Sequence, residues 1–385
     1  MRPIDNMRIL LDGGSPEWIP STLDVGACPG FTEPIERRFR QLTGSDNPAE
    51  YFDADVRLFS LPTRFGGDNV LVAPGAEKGT GPICRNGLEG ASHKLDLSPF
   101  PPGTTFDEWG IGHLAGGAEG TLDRSYPPLA GAKSLADVEA LPSPLIETDV
   151  DTSPIERHHA AGYPVFGYAG SIYEWAWWIR GMQEFMIDLA AAPEMAEAIL
   201  RKITDHTTRL AVASARAGID VLCFYDDAGM QTGMQISPRL WRRFIKPAWR
   251  QVLDAVRRPV PEARFFLHSC GKIDAILPDI VELGFHAIHP VQPECMDFEA
   301  VYRRYGRDIV VAATISAQRT FPFGTPDEVR REVRRLVSIA ADRRAILMPS
   351  NRIQPETPWE NVLSFAAEAK AGGRGAPARK PASPQ

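Results

Sequence analysis

The segment 264–271, Arg-Phe-Phe-Leu-His-Ser-Cys-Gly, is a short apolar run that ends in two soft metal ligands. The run is too short for a helix and predicts a buried strand, and residues 272–277 then open an amphipathic helix. His268 and Cys270 lie two positions apart, so in an extended chain they point to the same side and could hold one zinc ion. A pair packed in the core is the alternative interpretation.

Short apolar runs alternate with helical segments through the rest of the chain. The runs that predict strands are 18–25, 56–61, 163–168, 219–225, 265–268, 287–291, 309–313 and 345–348. Such alternation predicts right-handed βα units and a parallel sheet. About eight strands favour a (β/α)8 TIM barrel, whose active site is formed by the loops at the carboxyl ends of the strands.

Helix boundaries are marked by proline and by capping residues. Pro193 divides a long helical segment, and Ser237 is predicted to cap the next helix. Two capping boxes are predicted, one beginning at Thr325 and one at Thr357.

The first part of the chain adds an N-terminal extension and an excursion to the predicted barrel. Residues 1–16 predict a short helix, and 109–128 predict a hairpin with Gly116 and Gly117 at its turn. Residues 1–370 are therefore expected to form one TIM-barrel domain. The tail, 371–385, consists largely of Gly, Pro, Ala and basic residues, and it is predicted to be disordered.

Composition narrows the class of protein. The chain of 385 residues is 43% hydrophobic and 24% charged, which is typical of a soluble globular protein. Its net charge of -7 and scattered basic residues argue against nucleic acid as a partner. The sequence has neither an apolar run that could span a membrane nor a signal-peptide pattern at residues 1–6. Five scattered cysteines without a CxxC pair fit reduced thiols, so a cytoplasmic location is expected.

Polar and aromatic residues follow most of the predicted strands, where a barrel would gather them in one pocket. The candidates for acid–base catalysis are Asp226, Asp227 and His268. The candidates for substrate binding are Tyr168, Glu174, Trp175, Trp178, Gln231, His289, Gln292, Asn351 and Gln354.

Each group has a structural alternative. One of the adjacent carboxylates Asp226 and Asp227 could cap a helix, or their repulsion could raise one pKa and provide an acid. The aromatic run 173–178 could pack against the barrel, or form a wall for a flat ligand. Cys223 lies within an apolar run and is assigned to the core, whereas Cys28 and Cys84 carry no argument.

Four segments over about residues 160–365 resemble the uroporphyrinogen decarboxylase superfamily, and in particular its cobalamin-linked methyltransferase branch. They are 167–189 (Gly-Tyr-Ala-Gly-Ser-Ile-Tyr-Glu … Asp-Leu), 226–247 (Asp-Asp-Ala-Gly-Met-Gln … Lys-Pro), 268–292 (His-Ser-Cys-Gly … His-Pro-Val-Gln) and 351–361 (Asn-Arg-Ile-Gln-Pro-Glu-Thr-Pro-Trp-Glu-Asn). The resemblance implies a TIM barrel. True porphyrinogen decarboxylases have an arginine-rich motif after the first strand, and residues 24–30 contain no arginine.

The resemblance also implies a metal. The methyltransferase branch holds zinc with His-x-Cys and a later cysteine, and His268 and Cys270 match the first two positions. The third position is Asn351, and an amide is a poor zinc ligand. Cys295, Glu174 or an aspartate such as Asp227 would have to complete the shell; otherwise the site is metal-free and His268 acts as an acid or base.

The leading functional hypothesis is methyl transfer between a small methylated substrate, for which a methoxylated aromatic is one candidate, and a corrinoid. The chain lacks an Asp-x-His-x-x-Gly cobalamin-binding motif, so the corrinoid would be held by a partner protein that docks at the barrel mouth. Transfer from a methyl-corrinoid to a thiol or tetrahydrofolate is one alternative. A lyase or decarboxylase acting on another carboxylate would use arginines such as Arg180 or Arg352. A non-catalytic ligand-binding barrel is the third alternative.

Overall fold

The computed structural model of the protein describes residues 1–26, 28–65, 100–114 and 124–375. Its strands are β1 (Arg57–Leu58), β2 (Thr63–Arg64), β3 (Thr105–Phe106), β4 (Gly112–Leu114), β5 (Arg124–Tyr126), β6 (Leu145–Ile146), β7 (Val165–Gly170), β8 (Val221–Tyr225), β9 (Arg264–His268), β10 (Ala287–His289), β11 (Val310–Ile315) and β12 (Ala345–Pro349). Its helices are α1 (Pro3–Leu11), α2 (Glu33–Thr43), α3 (Pro48–Tyr51), α4 (Leu135–Ala140), α5 (Ser153–Ala160), α6 (Tyr173–Arg180), α7 (Met182–Ala191), α8 (Pro193–Arg216), α9 (Pro238–Leu240), α10 (Lys246–Arg257), α11 (Leu277–Leu283), α12 (Phe298–Tyr305), α13 (Thr320–Phe323), α14 (Pro326–Ile339) and α15 (Trp359–Arg374). A π-helical turn, Trp241–Ile245, joins α9 to α10, and a 3-10 turn, Asp274–Ile276, precedes α11.

Seven parallel strands form one curled sheet in the order β1-β7-β8-β9-β10-β11-β12. The chain around Ser21 joins the two edges of this sheet. Leu347 of β12 donates to Pro20 O at 2.8 Å and accepts from Thr22 N at 3.0 Å, and Asp55, just before β1, donates to Ser21 O at 3.0 Å. The predicted TIM barrel is confirmed, but its first strand is reduced to a bridge because Pro20 has no N–H to donate.

Alternate residues of the barrel strands point inward. The side chains that point into the barrel form one apolar cluster, the interior cluster. In β8 this cluster includes Val221, Cys223 and Tyr225, whereas Leu222 and Phe224 pack outward against the helices. This alternation is the pleat of a strand that is covered on both faces. The prediction that Cys223 is a core residue is confirmed.

Helix α1 closes the amino-terminal end of the barrel. Its apolar face places Met7, Leu10 and Leu11 in the interior cluster. Its polar face pairs Arg8 with Asp220, the residue before β8, at 2.9 Å. The opposite end of the barrel is therefore the open end, where the carboxyl ends of the strands meet.

The predicted helix signals are mostly confirmed. Helix α8 begins at Pro193, Ser237 caps α9, and the Thr325 capping box opens α14. The second capping box is wrong, because α15 begins at Trp359 with Pro358 at its N-cap position. Thr357 lies one residue too early to cap this helix and is buried instead.

The excursion forms an antiparallel hairpin, as predicted, in which β4 pairs with β5 and β3 pairs with β4. Its predicted turn at Gly116 and Gly117, like Cys84, lies outside the described residues. Helix α15 continues through Gly372 and Gly373 to Arg374, where the sequence predicted the tail. Within the described ranges, every helix falls short of the length and apolarity needed to cross a membrane.

Candidate metal centre

Three neighbouring strands bring the polar residues together at the open end of the barrel. His268 is the last residue of β9, and it is in register with Tyr225 of β8 and His289 of β10. Asp226 and Asp227 therefore emerge beside Ser269 and Cys270. The clustering follows from the parallel register, since each loop begins at the same level of the barrel.

Asp227, His268 and Cys270 form a group that could hold a metal ion. One ligand atom from each lies within 4.8 Å of the others. His268 Nε2 is 3.3 Å from Cys270 Sγ and 3.4 Å from Asp227 Oδ1. Imidazole, thiolate and carboxylate are the ordinary protein ligands of zinc, so the donor set fits this ion.

The completing ligand suggested by this geometry is Asp227, not Cys295 or Glu174. Cys295 Sγ donates to Gln231 Oε1 at 3.3 Å, on the adjoining loop. Glu174 lies behind Asp227, because its Oε2 accepts the hydrogen bond of Asp227 N at 3.2 Å. Neither belongs to the metal-binding group found among the described residues.

A chain of hydrogen bonds fixes the tautomer of His268. His289 Nε2 lies 2.8 Å from Pro349 O, and a carbonyl can only accept, so this nitrogen carries a proton. In the neutral ring His289 Nδ1 is then an acceptor, 2.7 Å from His268 Nδ1. His268 is protonated on Nδ1, which leaves Nε2 as the nitrogen that a metal could bind; without a metal, Nε2 donates to Asp227 Oδ1 at 3.4 Å. Orientation of a ligand imidazole through its other nitrogen is typical of metal sites. His289 is therefore a supporting residue rather than a substrate-binding one.

The pKa values of Cys270 and Asp227 are shifted by burial and by their neighbours. Burial and the carboxylate of Asp227 raise the pKa of Cys270 to about 12. Burial opposes charge on Asp227 too, but hydrogen bonding to His268 and to Cys270 N outweighs it and lowers the pKa of this carboxyl group. Because a thiol binds a metal as the thiolate, a bound cation would stabilise the form of Cys270 that burial disfavours.

Asp226 serves the fold, as in the helix-cap alternative. Its Oδ1 accepts from Ser171 Oγ, Ile172 N and Glu174 N at 2.9–3.1 Å, at the start of α6. Its Oδ2 accepts from Trp249 Nε1 at 2.9 Å. Four donors hold its two oxygens and only 3% of its surface is exposed, so Asp226 orients α6; its role as a catalytic acid stays a prediction.

The aromatic residues at 173–178 differ in burial, since some pack in the core and others are partly exposed. Trp175 is buried against Trp109 and His206, with ring centroids 5.4 and 5.5 Å away, as in the core-packing alternative. Trp178 is partly exposed and donates to Glu174 Oε1 at 3.2 Å. Burial and Asp227 raise the pKa of Glu174 to about 8, which makes it a candidate acid next to the metal group.

The remaining predicted residues brace the loops around this group. Gln292 Oε1 accepts from Gly271 N at 2.9 Å, and Gln231 is exposed and donates to Gln318 at 3.2 Å. Gln354 donates to the carbonyl of Arg352 at 3.1 Å, within its own loop. Tyr168 packs between Tyr225 and Trp175, and its ring centroid lies 5.6 Å from that of Tyr225.

Sequence analysis missed one residue of this region, Cys28. Its Sγ donates to Asn351 Oδ1 at 3.3 Å, and Asn351 Nδ2 donates to Cys270 Sγ at 3.3 Å. The only available signal was its place after the first predicted strand, which is a strand end like the others. Cys28 and Asn351 become neighbours only when the barrel closes and the loop before α2 meets the loop before α15.

The chain is similar to two groups of known proteins. The family model for uroporphyrinogen decarboxylase (URO-D) matches residues 129–371. A uroporphyrinogen decarboxylase from Geobacter sp. (strain M21) is 24% identical, over 60% of this chain and 68% of the relative. The methylcobamide:CoM methyltransferase MtaA of Methanosarcina barkeri is 27% identical, over 44% of this chain, and the match spans only 48% of that enzyme.

A solved structure supports the fold across the whole chain. A methyltransferase from Methanosarcina mazei superposes with a TM-score of 0.65, covering 96% of this chain and 98% of its own, at 16% identity. At this identity the likeness speaks for the barrel alone. The family model covers the strands from β7 to β12 and the metal group. On this match the chain belongs to the uroporphyrinogen decarboxylase family.

Proposed function

We propose that this protein is a metal-dependent methyltransferase that moves a methyl group between a small methylated substrate and a corrinoid held by a partner protein. The observation that carries the proposal is the grouping of Asp227, His268 and Cys270 at the open end of the barrel. The similarity to MtaA, whose name specifies a methylcobamide substrate, points in the same direction. A bound zinc ion would act as a Lewis acid on the heteroatom that carries the methyl group.

The residues of the chain have separate roles in this proposal. Asp227, His268 and Cys270 hold the metal, and His289 keeps the Nε2 lone pair of His268 directed at it. Glu174, whose pKa is raised to about 8, would carry a proton near neutral pH and could donate it to a demethylated oxygen. The partly exposed face of Trp178 would contact a flat substrate such as a methoxylated aromatic.

A decarboxylase or lyase would need arginines to bind a carboxylate, and the sequence candidates are Arg180 and Arg352. Arg180 Nε binds Asp188 at 2.7 Å inside the protein, and its Nη1 donates to the carbonyl of Leu129 at 2.6 Å. Arg352 Nη2 donates to the carbonyl of Phe31 at 2.9 Å. The Arg180 guanidinium is taken up by the fold, which weakens the case for a decarboxylase or lyase that would bind its substrate through Arg180.

The direction of transfer has two candidates. Transfer from methyl-corrinoid to a thiol is favoured by the reaction in the name of MtaA. Transfer from a methyl ether to the corrinoid is favoured by the oxygen ligand Asp227, since a harder donor set suits an oxygen leaving group.

The test combines metal analysis with two assays on the purified full chain. We expect about one zinc per chain, and its loss in Cys270→Ala. Wild-type protein should methylate cob(I)alamin from 2-methoxyphenol, or demethylate methylcobalamin with a simple thiol, and Cys270→Ala should do neither. A protein that binds zinc but supports neither reaction would sink the proposal and favour the non-catalytic barrel.

A further inference from the structure

Cys28 lies one amide group away from the sulfur of Cys270. The Asn351 side chain bridges them, with Oδ1 3.3 Å from Cys28 Sγ and Nδ2 3.3 Å from Cys270 Sγ. Cys28 is therefore a neighbour of the metal group, although its sulfur lies outside that group.

The orientation of the Asn351 amide shows that this residue is not itself a ligand. Arg352 N donates to Asn351 Oδ1 at 2.6 Å, which identifies that atom as the carbonyl oxygen. The NH2 group therefore faces Cys270 Sγ and donates to it. The NH2 group of Asn351 can stabilise a thiolate on Cys270, but it has no lone pair to offer a metal. Position 351 therefore contributes no metal ligand.

A catalytic zinc site has three protein ligands and a fourth, exchangeable position, and Asp227, His268 and Cys270 supply three ligands. The Sγ atom of Cys28 lies outside the group whose ligand atoms are all within 4.8 Å. Unlike the strand-end ligands, Cys28 follows a bend in which Gly26 has a φ of +106°. Binding of the metal by Cys28 therefore requires a side-chain rotation that exchanges its contact with Asn351 for the metal.

We propose that Cys28 is the second thiolate ligand of the metal and replaces the cysteine that the family resemblance leads one to expect at position 351. On binding, the Cys28 thiol releases its proton to solvent and the thiolate binds the metal. Because the fourth position of a catalytic zinc site is the one that the substrate takes, Cys28 is also the ligand that an incoming substrate would displace. The inference rests on the proposed function only in requiring a metal at this site.

The experiment is a cobalt(II) titration of the metal-free full-length protein, followed by the thiolate-to-cobalt charge-transfer absorbance, which grows with the number of bound thiolates. We expect two thiolates in wild type and one in Cys28→Ala, with at least about tenfold weaker binding. The double variant Cys28→Ala/Asn351→Cys should regain the second thiolate, because residue 351 already contacts Cys270. Far-ultraviolet circular dichroism confirms that each variant is folded.

Cys295→Ala is the matched control, since Cys295 contacts Gln231 on another loop. It should keep both thiolates. The inference is overturned if wild type shows one thiolate, if Cys28→Ala is unchanged, or if Cys295→Ala loses the signal instead. The absorbance requires no methyl transfer, so a two-thiolate protein without methyltransferase activity would contradict the proposed function alone. Wild type that binds no cobalt would contradict both.

Discussion

At the scale of single residues, two adjacent carboxylates perform different tasks. Asp226 accepts hydrogen bonds on both oxygens, and one donor is Trp249 Nε1. In Asp226→Asn, the amide must turn its NH2 group toward a buried donor. We expect a loss of about 3 kcal/mol in the free energy of unfolding, because two donors are left facing each other. Urea denaturation measures this loss.

Asp227→Asn is the matched control. The Asp227 side chain is 29% exposed, and an amide oxygen can still accept from Cys270 N. Its stability should change by less than about 1 kcal/mol, while its zinc affinity falls, as a chelator competition would show. Equal destabilisation by the two changes would contradict this division of roles.

His286 couples stability to pH. Its Nδ1 accepts from Phe265 N at 3.0 Å, and burial, together with Arg264 and Arg257, lowers its pKa to about 4. The unfolded chain binds this proton near pH 6.5, so the stability conferred by neutral His286 is complete above that pH. It is lost as the pH falls toward 4.

In His286→Asn, the amide oxygen can accept from Phe265 N without titrating. Between pH 6 and pH 4.5, the free energy of unfolding should therefore fall less steeply in the variant than in wild type, by up to about 1.4 kcal/mol per pH unit. Urea denaturation at several pH values would check this. Parallel pH profiles for the two proteins would contradict the role of His286.

Residue-scale prediction from the sequence succeeds where the relevant contact is local. The spacing of His268 and Cys270 is visible in the sequence, and the structure places the two side chains 3.3 Å apart. The tautomer relay through His289 depends on the register between two strands, which the sequence does not specify. Cys28 and Asn351 are 323 positions apart, and only the closed barrel brings them together.

At the scale of elements, Arg180 joins α6, α7 and the loop after the excursion. Its guanidinium binds Asp188 of α7 and the carbonyls of Leu129 and Ala132. Arg180→Met leaves a buried carboxylate without its partner, so we expect the variant to be destabilised by about 3–5 kcal/mol. Thermal unfolding measures the effect.

The double variant Arg180→Met/Asp188→Leu is the control, because it removes both charges. It should recover part of the stability lost in Arg180→Met, since an apolar pair can replace a buried ion pair. If Arg180→Met instead left stability intact and raised only the KM for a carboxylate substrate, the decarboxylase alternative would regain support.

The elements that the sequence predicts well are those with a strong local pattern. The long helical segment divided at Pro193 and the apolar strands β8, β9 and β12 are examples. The first barrel strand is predicted too long, because Pro20 removes a backbone donor and leaves only a bridge between Ser21 and Leu347. The Thr357 capping box fails because the helix starts one residue later than the motif requires.

At the scale of the whole molecule, closure of the barrel depends on the chain around Ser21. Asp55 holds that chain with both oxygens, Oδ1 accepting from Trp18 Nε1 at 3.0 Å and Oδ2 from Ser21 N at 2.9 Å. Asp55 is buried, so neither bond is replaced by water if it is lost. Closure also places Cys28 beside Asn351, so the metal group depends on the same contacts.

Asp55→Asn should loosen the closure without unfolding the barrel, because one amide N–H would face a buried donor. We expect amide hydrogen exchange in residues 18–25 and in β12 to become about tenfold to a hundredfold faster. Exchange in β8, on the far side of the barrel, should be unchanged. Asp53→Asn is the matched control, since Asp53 is an exposed acid on the same loop that pairs with Lys370. Slow exchange in Asp55→Asn, or equal acceleration in both variants, would show that the barrel closes through other contacts.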